Sequence, residues 1–183
     1  MNKRAFFALF VLVSFYGLAP AATEGLVYCR EEAGQSNIFA NCTQATCTAT
    51  EGGYSCSCHV QPGPSVSMNT CTQPGMSAVQ SRYSPVQAYQ VCPGHTAAWA
   101  NCLGSPCVFS SDHKTATCNC SPGLLMPQYI VVLPTLTCDP DKCSNKIIHS
   151  SATAGGAQEM TQFLKNNHFP GFTSPKICQP SIN

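Results

Sequence analysis

Fourteen cysteines constrain this chain more than any other feature, because twelve of them fall into two runs of six with closely matching spacing. The first run, Cys29, Cys42, Cys47, Cys56, Cys58 and Cys71, has gaps of 12, 4, 8, 1 and 12 residues; the second, Cys92, Cys102, Cys107, Cys118, Cys120 and Cys138, has gaps of 9, 4, 10, 1 and 17. More than cysteine recurs. Phe39-Ala40-Asn41-Cys42 matches Trp99-Ala100-Asn101-Cys102, Pro62-Gly63 parallels Pro122-Gly123, and Asn69-Thr70-Cys71 parallels Leu136-Thr137-Cys138. A duplicated unit accounts for these matches. The remaining two, Cys143 and Cys178, bracket a 34-residue interval and most simply pair with each other.

An even cysteine count reads as seven disulfides if the chain passes through an oxidising compartment. The start of the sequence supplies that route: Lys3 and Arg4, an apolar run over residues 5–18, and Ala19-Pro20-Ala21 as a cleavage site make residues 1–22 an expected signal peptide. That run is short for a membrane span, which needs roughly 20 apolar residues, and no transmembrane segment is expected further on. Removing Lys3 and Arg4 leaves seven basic residues against eight acidic ones, so there is no electrostatic footprint for nucleic acid. The expected location is secreted or extracellular, with the periplasm as intermediate or final site in a bacterial producer.

The pattern divides the chain into a cysteine-rich module at 23–74, a linker at 75–91 containing Pro85, a second module at 92–140 and a disulfide-closed C-terminal lobe at 141–183. Short runs at 53–59, 115–119 and 128–133 read as strands. Met160, Phe163 and Leu164 recur at helical spacing, so residues 157–167 read as the one short helix, with Pro170-Gly171 as its stop. The expected fold is therefore small, disulfide-rich and mainly β: two tandem six-cysteine β-hairpin modules plus a C-terminal lobe with one short helix.

Gly52-Gly53-Tyr54-Ser55-Cys56-Ser57-Cys58, with a single residue between the fourth and fifth cysteines, resembles an EGF-like module. Cys118-Asn119-Cys120-Ser121-Pro122-Gly123 is similar, with the glycine three residues after the fifth cysteine. Spacing alone permits fifteen pairings per module. The resemblance implies the order one to three, two to four and five to six: Cys29–Cys47, Cys42–Cys56 and Cys58–Cys71, then Cys92–Cys107, Cys102–Cys118 and Cys120–Cys138, leaving Cys143–Cys178. The calcium-binding form of the family carries an acidic cluster before the first cysteine; neither 24–28 nor 86–91 has one, so no calcium is expected.

Candidate chemistry is sparse. Cys56, Cys58 and His59, or Cys118, Cys120 and His113, have the atoms for a zinc or copper site only if the thiols are reduced, so no metal and no cofactor are expected. His95, His113, His149 and His168 with Asp112, Asp139 and Asp141 are scattered members of a hydrolytic site without a nucleophile motif, and no catalytic residue is assigned. Asn41-Cys42-Thr43 and Asn119-Cys120-Ser121 fit the glycosylation pattern weakly.

The candidate binding surface is the apolar insert in the last loop of the second module: Leu124, Leu125, Met126, Tyr129, Ile130 and Val131. Exposed, it holds a protein partner or a second copy of the chain; otherwise it is a strand over the C-terminal lobe. The expected function is a secreted, disulfide-stabilised binding protein, of the effector or adhesion type that meets a host and so a virulence-factor candidate. Alternatives are a secreted inhibitor or toxin acting on a hydrolase, and a small secreted hydrolase.

Overall fold

The computed structural model describes residues 25–30, 37–75, 77–94, 98–123, 126–144 and 146–180, and the expected signal peptide lies outside them. The first half forms β1 (Leu26–Cys29), β2 (Ile38–Asn41), β3 (Thr46–Thr50), β4 (Gly53–Pro62), β5 (Ser65–Met68) and β6 (Ala78–Arg82). The second forms β7 (Ala88–Pro93), β8 (Ala100–Asn101), β9 (Pro106–Phe109), β10 (Thr115–Pro122), β11 (Gln128–Val132), β12 (Ile148–His149) and β13 (Ala152–Thr153), followed by α1 (Ala154–Asn166) and β14 (Lys176–Cys178). The fold is a small, mainly β, disulfide-rich one with its α-helix in the C-terminal region. No helix among the described residues is long and apolar enough to cross a membrane.

Residues two apart on a strand face the same side, so Cys56 and Cys58 on β4 both point inward, as do Cys118 and Cys120 on β10. Each strand folds back antiparallel on the segment before it. Reversal of direction then sets the pairing: Cys47 lies opposite Cys56, Cys107 opposite Cys118, and the next cysteine outward closes Cys42–Cys58 and Cys102–Cys120. The turn between β3 and β4 is Glu51-Gly52, whereas Ser110 and Thr115 close a four-residue turn at 111–114. The difference is two residues, an even number, so every inward side chain stays inward.

The pairing implied by the resemblance is therefore corrected throughout. Cys29–Cys47, Cys42–Cys56 and Cys58–Cys71 are replaced by a nested set, Cys29–Cys71, Cys42–Cys58 and Cys47–Cys56. Cys92–Cys107, Cys102–Cys118 and Cys120–Cys138 give way to Cys102–Cys120 and Cys107–Cys118 with the outer pair opened: Cys92 bonds Cys143 and Cys138 bonds Cys178, so Cys143–Cys178 does not form. The hairpin explains the change, since it brings Cys47 rather than Cys42 to Cys56.

The halves join through β4 and β10, which pair antiparallel with Cys56 directly opposite Cys118. These are equivalent positions of the repeat, so a pseudo-two-fold axis passes between them. Across it the cystines touch: Cys42 Sγ is 3.5 Å from Cys118 Sγ and Cys102 Sγ is 3.4 Å from Cys56 Sγ. These sulfurs, with Ala40, Val79, Ala100 and Ala116, form the core that larger aliphatic side chains usually supply. The outward rows carry Thr48, Ser55 and Asn119, then Ser57 and Thr117 beside the exposed Val108, and these neutral polar groups hydrate a chain with so few charges.

The expected linker at 75–91 carries β6 and β7. β6 lies between β2 of its own half, in parallel pairing, and β9 of the other. β12 mirrors it: Ile148 and His149 pair with β3 of the first half, and Ser150 bridges to Ala100 of β8. Even single bonds repeat, with Ser81 N–H donating to Ser105 O and Ser150 N–H to Ala45 O, both at 2.9 Å. Each half thus lends the strand after its module to the other. Two closed circuits of strands result, sharing the β4–β10 pair.

Outside these circuits, β1 with β5 corresponds to β7 with β11, and the bridge Val66 to Tyr83 corresponds to Ile130 paired with Ala152. The symmetry ends there. After Thr153, whose hydroxyl caps α1 by accepting from Gly156 N–H at 2.9 Å, the helix turns its Ala157 toward Tyr89, Val91 and Ile130 and its Met160 and Leu164 toward Val66. It therefore seals both halves. His168, in the left-handed region at φ 48°, ends the helix and lets Phe169 N–H reach Leu164 O at 3.1 Å. The tail then lays β14 parallel to β7 and is fixed by Cys138–Cys178.

Candidate functional site

Two halves that share strands leave space where their equivalent faces converge. A cavity of about 280 Å³ lies there, lined in equivalent pairs by Cys42 and Cys102, Ser81 and Ser150, Tyr83 and Ala152, and Met68 and Val132. It straddles the pseudo-two-fold axis. Gly156, Ala157, Glu159 and Met160 of α1 close one side, so the element that breaks the symmetry also makes the cavity one-sided. Leu26, Trp99, Leu103 and Ile130 complete apolar walls, and Thr43, Asn101 and Ser151 add neutral polar groups.

Among the described residues, two charged ones contribute to the lining, and they differ. Glu159 is exposed on α1 at the mouth. Arg82 is fully buried: its guanidinium donates to Asn37 Oδ1 and the Cys71 carbonyl, both neutral acceptors, and burial lowers its affinity for a proton. Two of its three nitrogens are engaged in the first half, and the third, Nε, is buried without a hydrogen-bond partner among the described residues. Tyr83 also belongs to the lining, and its hydroxyl makes no hydrogen bond among the described residues. Burial, and then the neighbouring Tyr89, push its ionisation far above the phenol range, so it is a neutral O–H at any physiological pH.

The structure redistributes the residues singled out in the sequence. Tyr129, Ile130 and Val131 are buried in β11, flanked by β7 and β13, so this part of the insert is sheet rather than an exposed loop. Ile130 reaches the cavity and Tyr129 stacks on Trp99 with ring planes 5° apart. Met126 is 39% exposed, while Leu124 and Leu125 lie outside the described residues, as does His95. The sulfurs of Cys42, Cys58 and Cys118, and of Cys47, Cys56 and Cys102, lie within 4.8 Å of one another, but all are bonded as cystines and offer no thiolate. His59 is exposed on the opposite face of β4 from Cys58, and His113 sits in the 111–114 turn.

Among the described residues, no three of the acid and base candidates are brought together. Asp112 accepts from Ser110 Oγ at 2.6 Å and Lys114 N–H at 2.9 Å, which holds its carboxyl below the usual range and fixes a turn. Asp139 caps a short 3-10 turn by accepting from Asp141 N–H at 3.1 Å. His168 terminates α1. Asn41 of the first glycosylation pattern accepts from Thr43 N–H at 3.0 Å and its hydroxyl at 2.7 Å, whereas Asn119 of the second is exposed.

His149 is partly buried in a smaller recess with Thr46, Lys142 and Ser150. Desolvation first, and then the Lys142 charge, depress its proton affinity below the ordinary value of 6.5. A histidine whose folded value is depressed contributes stability that is full above 6.5 and is lost as pH falls through the folded value. Urea midpoints of the native protein should therefore drop between pH 7.5 and 5. His149→Gln should show a smaller drop over that interval; an identical drop would assign the acid sensitivity elsewhere.

Sequence reasoning missed the cavity because its lining comes from seven separated segments and carries no motif. Compared with family models, with curated proteins and with solved structures, the chain matches none.

Proposed function

We propose that this chain is a secreted, disulfide-stabilised binding protein and not an enzyme, with the cavity on the pseudo-two-fold axis as its binding site. An exported factor that meets a host is one form of that role. The observation that carries the reading is the cavity itself: apolar walls with a few neutral polar groups, between two halves joined by shared strands, each braced by its own cystines. Such preorganisation reduces the ordering cost of binding, and small-molecule sites favour interfaces between structural units. The seven cystines support the exported location.

A thermal-shift panel of fatty acids, aromatic compounds, sugars and short peptides tests this. The native oxidised protein should gain at least several degrees with one class, as binding to the folded state alone requires. Leu103→Trp, which fills the cavity from its wall, should lose that gain while keeping its own cooperative melt. No gain with any class, or equal gains in both proteins, would contradict the reading.

A further inference from the structure

The lining of the cavity specifies more than binding. Leu26, Leu103, Ile130 and Met160 give it apolar walls, the Arg82 guanidinium donates to Asn37 and Cys71 with its Nε buried and unpartnered, and Glu159 is the one carboxylate of the lining among the described residues. An anion would meet Glu159 and would leave water for a mostly apolar enclosure, while the Arg82 head group is itself buried, with two nitrogens on neutral acceptors and its Nε out of contact with solvent. A sugar would strand most of its hydroxyls for the same reason. A neutral apolar molecule carries neither penalty. Tyr83 adds one directional group, a hydroxyl without a hydrogen-bond partner among the described residues.

We infer that the ligand is a small, uncharged, predominantly apolar molecule bearing a hydrogen-bond acceptor such as a ketone, ether or alcohol oxygen, with its apolar body against the Leu26, Leu103, Ile130 and Met160 wall and its oxygen toward Tyr83. The cavity, about 280 Å³, stands at the small end of ligand sites, which run from roughly 300 to 1,000 Å³, so the size class is that of a fragment or a short terpenoid rather than a long-chain lipid. This inference rests on the binding reading above and narrows it to one chemical class.

Two fluorescent probes that share a skeleton separate the narrower claim from the broader one. N-phenyl-1-naphthylamine is neutral, and 1-anilinonaphthalene-8-sulfonate adds one negative charge to nearly the same frame. Titrated into the native oxidised protein, the neutral probe should bind saturably at one site, at least about tenfold tighter than the sulfonate, and its signal should be lost in Leu103→Trp. Ser151→Phe, which fills the cavity from another segment, should also abolish it, guarding against a misfolded Leu103→Trp. Camphor, an apolar ketone, should displace the probe, and Tyr83→Phe should weaken camphor about fivefold or more while leaving the hydrocarbon camphane unchanged.

Tighter binding of the sulfonate, blocked by both filling variants, would overturn the ligand class and leave the binding site standing. Equal camphor affinity in Tyr83→Phe would overturn the role of Tyr83. Signal from either probe that survives both filling variants, or no signal at all, would remove the cavity as the site and the class with it.

Discussion

Replacing Cys92 and Cys143 together by alanine is expected to cost about 4 kcal/mol and to lower the melting temperature by roughly 10 °C. The bridge closes the longest loop of the seven, with a sequence separation of 51, so its loss returns the most conformational freedom to the unfolded chain. It also removes sulfur from beneath Trp99 and Tyr129, where Cys92 is buried. Single substitution distinguishes this bridge from the Cys143–Cys178 pairing expected from the sequence. Cys143→Ala should expose a thiol at Cys92 after unfolding in denaturant and alkylation, whereas a thiol at Cys178 would contradict the structure.

The second large effect is expected at Gly123. A Cβ there would stand 2.1 Å from both Cδ2 and Cε2 of Trp99, a buried ring, while the Gly123 N–H donates to Trp99 O at 2.8 Å and holds the backbones together. Neither partner can retreat without losing something: the ring would leave its stack on Tyr129, or the strand would part from β8. Gly123→Ala should destabilise by about 3 kcal/mol. Because Trp99 is the one tryptophan in the sequence, its emission should shift to the red in the same variant. Gly52→Ala is the control, since nothing lies within 4 Å of its Cβ position and the change should stay within about 0.5 kcal/mol. Unshifted emission in Gly123→Ala would contradict the packing described for Trp99.

What the sequence disclosed and what it concealed follow from where each signal is local. The strands around Cys56-Ser57-Cys58 and Cys118-Asn119-Cys120 were legible because alternation is a property of adjacent residues, and the helix because Met160 and Leu164 keep a regular spacing. β6 and β7 were not. In β6 the inward positions are Val79 and Ser81, with Arg82 buried at its end, so hydrophobicity does not mark the face. β7 is buried over Ala88–Cys92 on both sides, and a strand covered twice shows no alternation. Its Gln90 donates to the carbonyls of Cys178 and Gln179, a partner supplied by the far end of the chain.

The pairings were missed for a different reason. Spacing left fifteen arrangements open in each module, and the EGF-like resemblance supplied one of them; the hairpin turn at Glu51-Gly52 selects another, because it decides which cysteine faces Cys56. The cavity was hidden more deeply still. Ser81, Tyr83, Leu103 and Ser150 are unremarkable in sequence and meet only because each half lends a strand to the other.

The paired hairpins on which that exchange of strands is built, each locked by nested cystines, are the central claim, and a disulfide map of the native protein tests them most directly. Digestion without reduction, followed by fragmentation that cleaves sulfur–sulfur bonds in the mass spectrometer, can separate Cys56 from Cys58 and Cys118 from Cys120 despite the single residue between them. The structure predicts Cys42–Cys58 with Cys47–Cys56, Cys102–Cys120 with Cys107–Cys118, Cys29–Cys71, and the two ties Cys92–Cys143 and Cys138–Cys178. Recovery of Cys42–Cys56 and Cys102–Cys118, or of Cys143–Cys178, would contradict it.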